Sequence, residues 1–346
     1  MMYSLRLLLI TFLFLTSGIR VFAQDTRRPL FEAEDIVKIT ITANMESLLK
    51  DREEERSYHP AVLSYTQGEG NSVEIPLRLR VRGNFRRQKS TCDFPPLLLN
   101  FDTLTQNTIF EGQNKLKLVT HCKTKSKGFD QYVLAEYLIY KMYNQLTDSS
   151  FRVRLVQVVY QDSAGKSEPL EKFGFFIEDE DQVATRMGGR ILEVTNVHPD
   201  KTNYIWANHL AVFEYMVGNT DWSISGLHNI RLVMMNPAEP PVAVPYDFDW
   251  AGFVNTPYAL PNPELGIVSV KDRLFRGFCR TEEEFAASFQ LFQQKKEVFL
   301  QLIEGNEWLD SKSKTSLSKY ILQFYDILDN PKSVDREFYQ NCRTTK

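Results

Sequence analysis

The chain has 346 residues, of which 43% are hydrophobic and 25% charged, and its formal net charge is -3 at pH 7. This composition is ordinary for a globular protein with a buried core. The slight negative charge argues against a nucleic-acid partner, since proteins that bind nucleic acids usually carry a basic face. The chain is too long for one small core and predicts two lobes.

The first residues predict a cleavable signal peptide over residues 1–23. A basic start leads into an apolar run of about ten residues, Leu7–Thr16, and Ala23 ends a small-residue segment before Gln24. A membrane-spanning helix needs about 20 apolar residues, and Arg20 interrupts this one. We therefore expect a mature protein that begins near Gln24, is secreted or periplasmic, and has no transmembrane span.

Cysteine usage agrees with export. The four cysteines are Cys92, Cys122, Cys279 and Cys342. An even number of cysteines in an oxidising compartment allows two disulfides, which could pair in three ways. None of the cysteines forms a Cys-x-x-Cys motif, so we do not expect a zinc site.

Residues 24–177 predict a β-rich N-lobe with one helix. The segments Val37–Thr42 and Val73–Arg82 alternate between apolar and polar residues, which is typical of half-buried strands. A helical pattern of apolar residues follows over Asp130–Asn144. Further strands are predicted at Leu97–Leu99, Lys115–Val119, Phe151–Val156 and Phe173–Ile177.

Residues 178–346 predict a mainly helical C-lobe. Thr202–Val217 carries an apolar stripe, and Thr281–Glu284 forms a capping box that begins a long helix. In that helix one face carries four aromatic residues that we interpret as core: Phe285, Phe289, Phe292 and Phe299. These patterns predict an α+β fold of two lobes joined near residue 178, with a ligand-binding cleft between them.

A predicted hairpin in the second half presents polar residues at one end, and these indicate a site. Asp221 and Asn229 lie in a loop between a helix and a strand, and Asp247 and Asp249 end the next strand. Carboxylate and amide oxygens suit a hard cation such as Mg²⁺. In phosphoryl transfer one carboxylate orients the attacking hydroxyl, while an amide and a second carboxylate hold metal ions that bridge the phosphates.

This region resembles the CotH kinase-like proteins, a divergent branch of the protein-kinase fold. The resemblance rests on Asn219-x-Asp221, on His228-Asn229 before a strand, on Pro245–Trp250, on Arg82-Gly83-Asn84 as an RGN segment, and on Phe173–Glu178 as a hinge strand. It implies a two-lobed protein-kinase-like fold and transfer of a phosphoryl group to a protein or other envelope acceptor. The implied donor is ATP, bound with Mg²⁺ or Mn²⁺.

The resemblance also implies residue roles. Asp221 would be the catalytic base, Asn229 and Asp247 the metal ligands, and Asp249 a helper at the metal site. Lys117, paired with Glu136, would hold the α- and β-phosphates of the nucleotide. Lys115 and Lys89 are the alternatives for that lysine.

Two departures from ordinary kinases affect these roles. Asp221 and Asn229 are eight positions apart, so their loop must be longer than the usual one. No glycine-rich loop follows Arg82-Gly83-Asn84 to wrap the phosphates. A basic cluster could replace it by charge, and its members are Arg78, Arg80, Arg82, Arg86 and Arg87.

Two other functions remain open. Because ATP is scarce outside the cytoplasm, the exported chain could be a catalytically inactive kinase-fold module that binds an envelope partner. A metal-dependent hydrolase is less favoured, because the chain lacks a His-rich ligand set and a nucleophile elbow. In a purely structural reading, the aspartates and the asparagine of the hairpin only satisfy backbone groups.

Overall fold

A computed structural model describes residues 29–68, 70–101, 105–126 and 128–344. The predicted signal peptide, residues 1–23, lies outside the described residues. No helix within those ranges is long and apolar enough to cross a membrane.

The described chain contains ten strands and seven α-helices. The strands are β1 (Val37–Ala43), β2 (His59–Gln67), β3 (Asn71–Val81), β4 (Leu97–Asn100), β5 (Lys115–Val119), β6 (Val153–Asp162), β7 (Leu170–Ile177), β8 (Arg190–Ile191), β9 (Ile230–Met234) and β10 (Val242–Pro245). The helices are α1 (Met45–Lys50), α2 (Phe129–Asn144), α3 (Glu180–Arg186), α4 (Tyr204–Val217), α5 (Glu282–Glu304), α6 (Ser311–Leu328) and α7 (Pro331–Val334).

The first seven strands form a closed barrel in the order β1-β2-β3-β4-β5-β7-β6. Neighbouring strands are antiparallel except for β1 and β6, which pair in parallel and close the sheet. The predicted two-lobed, protein-kinase-like fold is therefore wrong, because that fold has an open sheet. The sheet closes because β1 pairs in parallel with β6, from Val37 opposite Val156 to Ala43 opposite Asp162, and these residues are far apart in the sequence.

Alternating apolar residues fill the barrel and set which side chains face outward. Leu77 and Leu79 of β3, and Leu116 and Leu118 of β5, are buried in one cluster inside the barrel. Their neighbours along each strand point the other way, because successive side chains alternate between faces. Lys117 therefore lies on the outer face of the barrel.

A second core joins the outside of the barrel to the helices. It runs without interruption from Val119 and α2 through α4 to the three buried aromatic residues Phe285, Phe292 and Phe299 of α5. Phe289 is partly buried against the same core. This packing, rather than a connector between separate lobes, holds the second half against the barrel.

The second half contains a small three-stranded sheet, ordered β10-β9-β8, and a helical layer. The predicted capping box is confirmed: the Thr281 side chain accepts from the Glu284 backbone at 3.3 Å, and the Glu284 side chain accepts from the Thr281 backbone at 2.9 Å. The hairpin of β9 and β10 pairs Pro245 with Ile230. It therefore places the residues after β10 beside those before β9.

The cysteines form two disulfides, Cys92–Cys122 and Cys279–Cys342. The first joins the loop after β3 to the segment after β5. The second joins the segment before α5 to the end of the described chain. Disulfides form and persist in oxidising compartments, so this pairing fits an extracellular or periplasmic protein.

Candidate functional site

Helix α2 and the β9–β10 hairpin meet at Asp247. The backbone N–H of Asp247 donates to the hydroxyl of Tyr140, a buried residue of α2, at 2.8 Å. Asp247 has a φ of 64°, a left-handed conformation that is uncommon for a residue other than glycine. The hydrogen bond and the hairpin thus hold Asp247 in place while its side chain is exposed.

A buried group of charges, here called the Arg86 cluster, consists of Arg86, Glu136, Asp249 and Tyr258. The Arg86 guanidinium lies 3.9 Å from the Glu136 carboxylate and 3.9 Å from the Asp249 carboxylate. Its other terminal nitrogen donates to the carbonyl of Thr120 at 2.6 Å. Tyr258 donates to Asp249 at 2.9 Å. Three segments that are distant in sequence, which carry Arg86, Glu136 and the pair Asp249 and Tyr258, are therefore joined by this cluster.

Burial and mutual repulsion raise the pKa values of the two acids of the Arg86 cluster, Glu136 and Asp249. Burial, reinforced by Asp249, raises the pKa of Glu136 well above its ordinary value, and Arg86 opposes the shift. Burial and then the charge of Asp247 raise the pKa of Asp249 to about 7. Near neutral pH an acid of the cluster therefore keeps its proton, unless a further positive charge nearby stabilises the ionised form.

The loop over residues 218–229, here called the Asp221 loop, fixes both oxygens of the Asp221 side chain. One oxygen lies 2.8 Å from Nε2 of His228, and the other accepts from the amide nitrogen of Asn229 at 3.1 Å. The Asn229 amide nitrogen also donates to the Asp221 carbonyl at 2.7 Å. Within the described residues, the amide oxygen of Asn229 makes no hydrogen bond of its own.

Hydrogen bonds to Tyr246 and to Arg276 fix the position of the Asp221 loop. The carbonyl of Asn229 accepts from the backbone N–H of Tyr246 at 3.0 Å, which brings Asn229 beside the segment that carries Asp247. Arg276 donates to the carbonyls of Thr220 and Trp222, on either side of Asp221. The structure therefore brings Asp221, Asn229 and Asp247 to one end of the hairpin.

Lys117 and Arg82 lie close together on the side of the barrel that faces the helices. Burial lowers the pKa of Lys117, and the charge of Arg82 lowers it further, while Glu180 and Asp179 oppose the shift. Among the described residues, neither side chain makes a hydrogen bond. Arg82 also lies near enough to lower the pKa of Glu136. Two adjacent cations of this kind favour binding of an anion.

The ion pair predicted between Lys117 and Glu136 is not formed among the described residues, and Arg86 lies beside Glu136 instead. Lys117 is opposite Ile177 in the sheet, at the end of β7 next to Asp179 and Glu180. Of the two alternatives, Lys115 is exposed on β5 and Lys89 is exposed in the loop after β3.

The rest of the basic cluster is engaged elsewhere. Arg78 and Arg80 both lie over the ring of Tyr58, with Arg80 4.7 Å from its centroid. Arg87 donates to the carbonyls of Arg52 and Glu53. The charges of Arg82 and Arg86 are the ones that reach the acids at the site.

The sequence patterns missed several residues at this site. Tyr140 lies one helical turn after Glu136, and this spacing could have indicated that both face the hairpin. Glu214 of α4 is buried near Asp221, and burial raises its pKa to about 8. Neither Glu214 oxygen has a hydrogen-bond partner within the described residues, although Asn219 lies nearby and opposes the shift.

The metal prediction concerns Asn229, Asp247 and Asp249. No group of three or more His, Cys, Asp or Glu side chains in the described ranges is placed to hold a metal ion. Asp249 already contacts Arg86 and Tyr258, whereas Asp247 is exposed and the amide oxygen of Asn229 has no partner there. These two residues fit part of a Mg²⁺ shell, and other oxygens must complete it.

The sequence matches no model of a known protein family. A search among curated proteins also gives no match. The chemistry of the site therefore rests on its own residues.

Proposed function

We propose that the chain is an exported, CotH-like atypical kinase that transfers a phosphoryl group from ATP to a protein or other envelope acceptor. The observation that carries this proposal is that Asp247 and the cation Arg82 both lie close to Tyr140, with Lys117 next to Arg82. Tyr140, which bonds Asp247, is close enough to Glu136, Asp247 and Arg82 for all three charges to shift its pKa. The proposal rests on these residues and not on the fold that the resemblance implied.

In this proposal Asn229 and Asp247 bind Mg²⁺ or Mn²⁺ together with phosphate oxygens of the nucleotide. The metal ion would neutralise charge on the phosphates during transfer. Asp249 supports the site through Asp247 and Arg86. A cation close to Asp247 would reduce the repulsion that raises the pKa of Asp249.

Lys117 and Arg82 bind the phosphates of the donor. Their mutual repulsion is relieved by a phosphate anion between them, so donor binding gains free energy at this position. Arg86 takes the place beside Glu136 and keeps the α2 side of the site charged. The arginines thereby substitute for a glycine-rich loop.

Asp221 orients the acceptor hydroxyl and accepts its proton during transfer. Its hydrogen bonds to His228 and Asn229 fix the direction of the carboxylate. His228 is exposed, so this side of Asp221 faces the solvent from which an acceptor would approach.

A catalytically inactive module that binds an envelope partner is the second candidate. One observation favours it: both oxygens of Asp221 are already engaged by neighbouring side chains. A carboxylate that only holds its own loop together would make the same contacts. Metal and nucleotide binding distinguish the two functions.

The test is a thermal melting series of the mature protein with and without Mg²⁺ and ATP. A ligand that binds only the native state raises the melting temperature by mass action. We expect wild type to be stabilised by the pair of ligands, and Asp247→Asn to lose this stabilisation. Asp221→Asn should keep it but lose transfer from γ-labelled ATP to water or to the protein itself. Asp326→Asn, on the exposed side of α6, is the control and should match wild type.

Two results would count against phosphoryl transfer. No response of wild type to metal and nucleotide, with equal destabilisation by Asp221→Asn and Asp247→Asn, assigns both residues a structural role. Nucleotide binding without transfer in wild type favours the inactive module. In the structural case Asp221→Asn should lose about 1–3 kcal/mol without any ligand, because the carboxylate that contacts His228 and accepts from Asn229 is removed.

A further inference from the structure

A small cavity lies beside the Asp221 loop, and residues 222–225 of that loop form part of its wall. Its water-accessible volume is about 20 Å³, and Trp222, which follows Asp221, forms part of its wall. We call it the Trp222 cavity. A single water needs roughly 10–15 Å³ of such volume, so the cavity has room for one water-sized molecule or ion.

Two buried donors at the Trp222 cavity have no partner within the described residues. They are the indole Nε1 of Trp222 and the guanidinium Nε of Arg280. Trp222 is 7% exposed, and the Arg280 side chain is 10% exposed. Buried donors are nearly always hydrogen-bonded in native proteins, and an unsatisfied one is costly. Both groups therefore indicate an occupant that accepts hydrogen bonds.

The positive charge of the wall indicates that the occupant carries a negative charge. Three arginines line the cavity, Arg276, Arg280 and Arg343, whereas no aspartate or glutamate is among its lining residues. Asp200 pairs with a terminal nitrogen of Arg280 at 2.6 Å but leaves Nε unpaired. A buried anion needs this combination of positive charge and N–H donors.

The C-terminal segment closes the cavity. The backbone of Arg343 donates to the carbonyl of Gly277, and its carbonyl accepts from Cys279. The disulfide Cys279–Cys342 holds the two segments together at this point. The wall is thus fixed in place, which suits a small occupant of defined size.

We propose that the Trp222 cavity binds a small monovalent anion, a halide such as chloride, between Trp222 Nε1 and Arg280 Nε. The site would stabilise the Asp221 loop, because Trp222 belongs to that loop and Arg276 donates to its carbonyls. The proposal does not rest on phosphoryl transfer. A water molecule is the competing occupant, since Oδ1 of Asn208, which also lines the cavity, lacks a partner and could accept from a water.

The test compares melting temperatures in sodium bromide and in sodium gluconate at equal ionic strength, because gluconate is too large for the cavity. Wild type should gain ~3 °C in bromide at about ten times its dissociation constant. Trp222→Phe removes the N–H and keeps most of the packing, so it should lose this gain. Trp308→Phe, whose ring packs on Phe173, is the matched control and should keep it.

A crystal of the wild-type protein grown in bromide supplies the second measurement, which remains decisive even if Trp222→Phe does not fold. An anomalous peak within hydrogen-bond distance of Trp222 Nε1 and Arg280 Nε supports the anion. A water there without anomalous signal overturns the proposal. Equal gains in bromide for wild type and Trp222→Phe also overturn it, since they show a general salt effect.

Discussion

The guanidinium of Arg86 lies 3.9 Å from the carboxylate of Glu136, in the position that the family resemblance gave to Lys117. The distance is too long for a hydrogen bond, so the pair interacts through charge alone. Both side chains are buried, and a buried charge that loses its partner is costly. Arg86 therefore determines whether the acids of its cluster can remain ionised.

Replacing Arg86 by methionine should destabilise the protein by about 3 kcal/mol near pH 8. The loss should be smaller near pH 5, because Glu136 and Asp249 have raised pKa values and can be protonated there. Chemical denaturation at the two pH values measures the difference. The double variant Arg86→Met/Glu136→Gln should recover part of the loss at pH 8. An equal loss at both pH values would contradict this account.

Glu214 should make stability fall as pH rises. Its pKa in the folded protein is about 8, above the ordinary value of 4.5 for a glutamate, so the native state binds more protons than the unfolded state between these values. Stability should therefore decrease from about pH 5 to pH 8, by at most about 1.4 kcal/mol per pH unit from this group.

Denaturation of Glu214→Gln across this pH range provides the measurement. The variant cannot ionise, so its stability should depend less steeply on pH than that of wild type. Some slope should remain, because Asp249 has a raised pKa as well. Glu297→Gln, on the exposed face of α5, should keep the wild-type slope. Parallel curves for wild type and Glu214→Gln would show that Glu214 is not buried in its neutral form.

Gly218, which begins the Asp221 loop, should not tolerate a side chain. It has a φ of 66°, and a Cβ at this position would overlap the hydroxyl of Tyr320. Gly218→Ala should cost about 2–4 kcal/mol from backbone strain and overpacking together. Adding Tyr320→Phe should restore the overpacking part only. Thermal melting of the single and double variants tests this, and no recovery in the double variant would assign the whole loss to the backbone.

The two disulfides should differ in their effect on the Asp221 loop. Removing Cys279–Cys342 with serines should cost about 4 kcal/mol and loosen the segment that carries Arg276, whose side chain holds Thr220 and Trp222. Amide hydrogen exchange should then speed up in residues 219–223. The matched Cys92/Cys122 double serine variant should cost a similar amount but leave this exchange slow. Equal exchange rates in the two variants would argue against a role of Arg276.

Local elements could be predicted from the sequence because their signals are local. Strand β5 begins and ends where the alternation indicated, α2 and α4 lie within two residues of the predicted bounds, and the capping box at Thr281 is formed. The closure of the barrel could not be predicted, because the pairing of β1 with β6 joins segments that lie far apart in the chain. The unpredicted strand β2 does alternate, with Ala61, Leu63 and Tyr65 buried, and would have been the missing signal.

Prediction of the site from the sequence is limited in the same way to contacts between residues that a local element joins. Asp221, Asn229 and Asp247 come together because a hairpin joins them, and a hairpin can be read from the chain. The partner of Glu136 could not be read in this way. It depends on the path of the loop after β3, which carries Arg86 to Thr120 and is fixed by the disulfide Cys92–Cys122.

The parallel pairing of β1 with β6 also limits how this protein can meet other chains. A peptide that binds by adding a strand, or a second copy that joins edge to edge, needs a strand with one side unpaired. Each of the seven barrel strands already has two neighbours. Among the described sheets, β8 and β10 keep an outer edge, and both are short. Where β1 and β6 pair, recognition must therefore use side chains and loops, and the closure protects this part of the barrel against edge-to-edge aggregation.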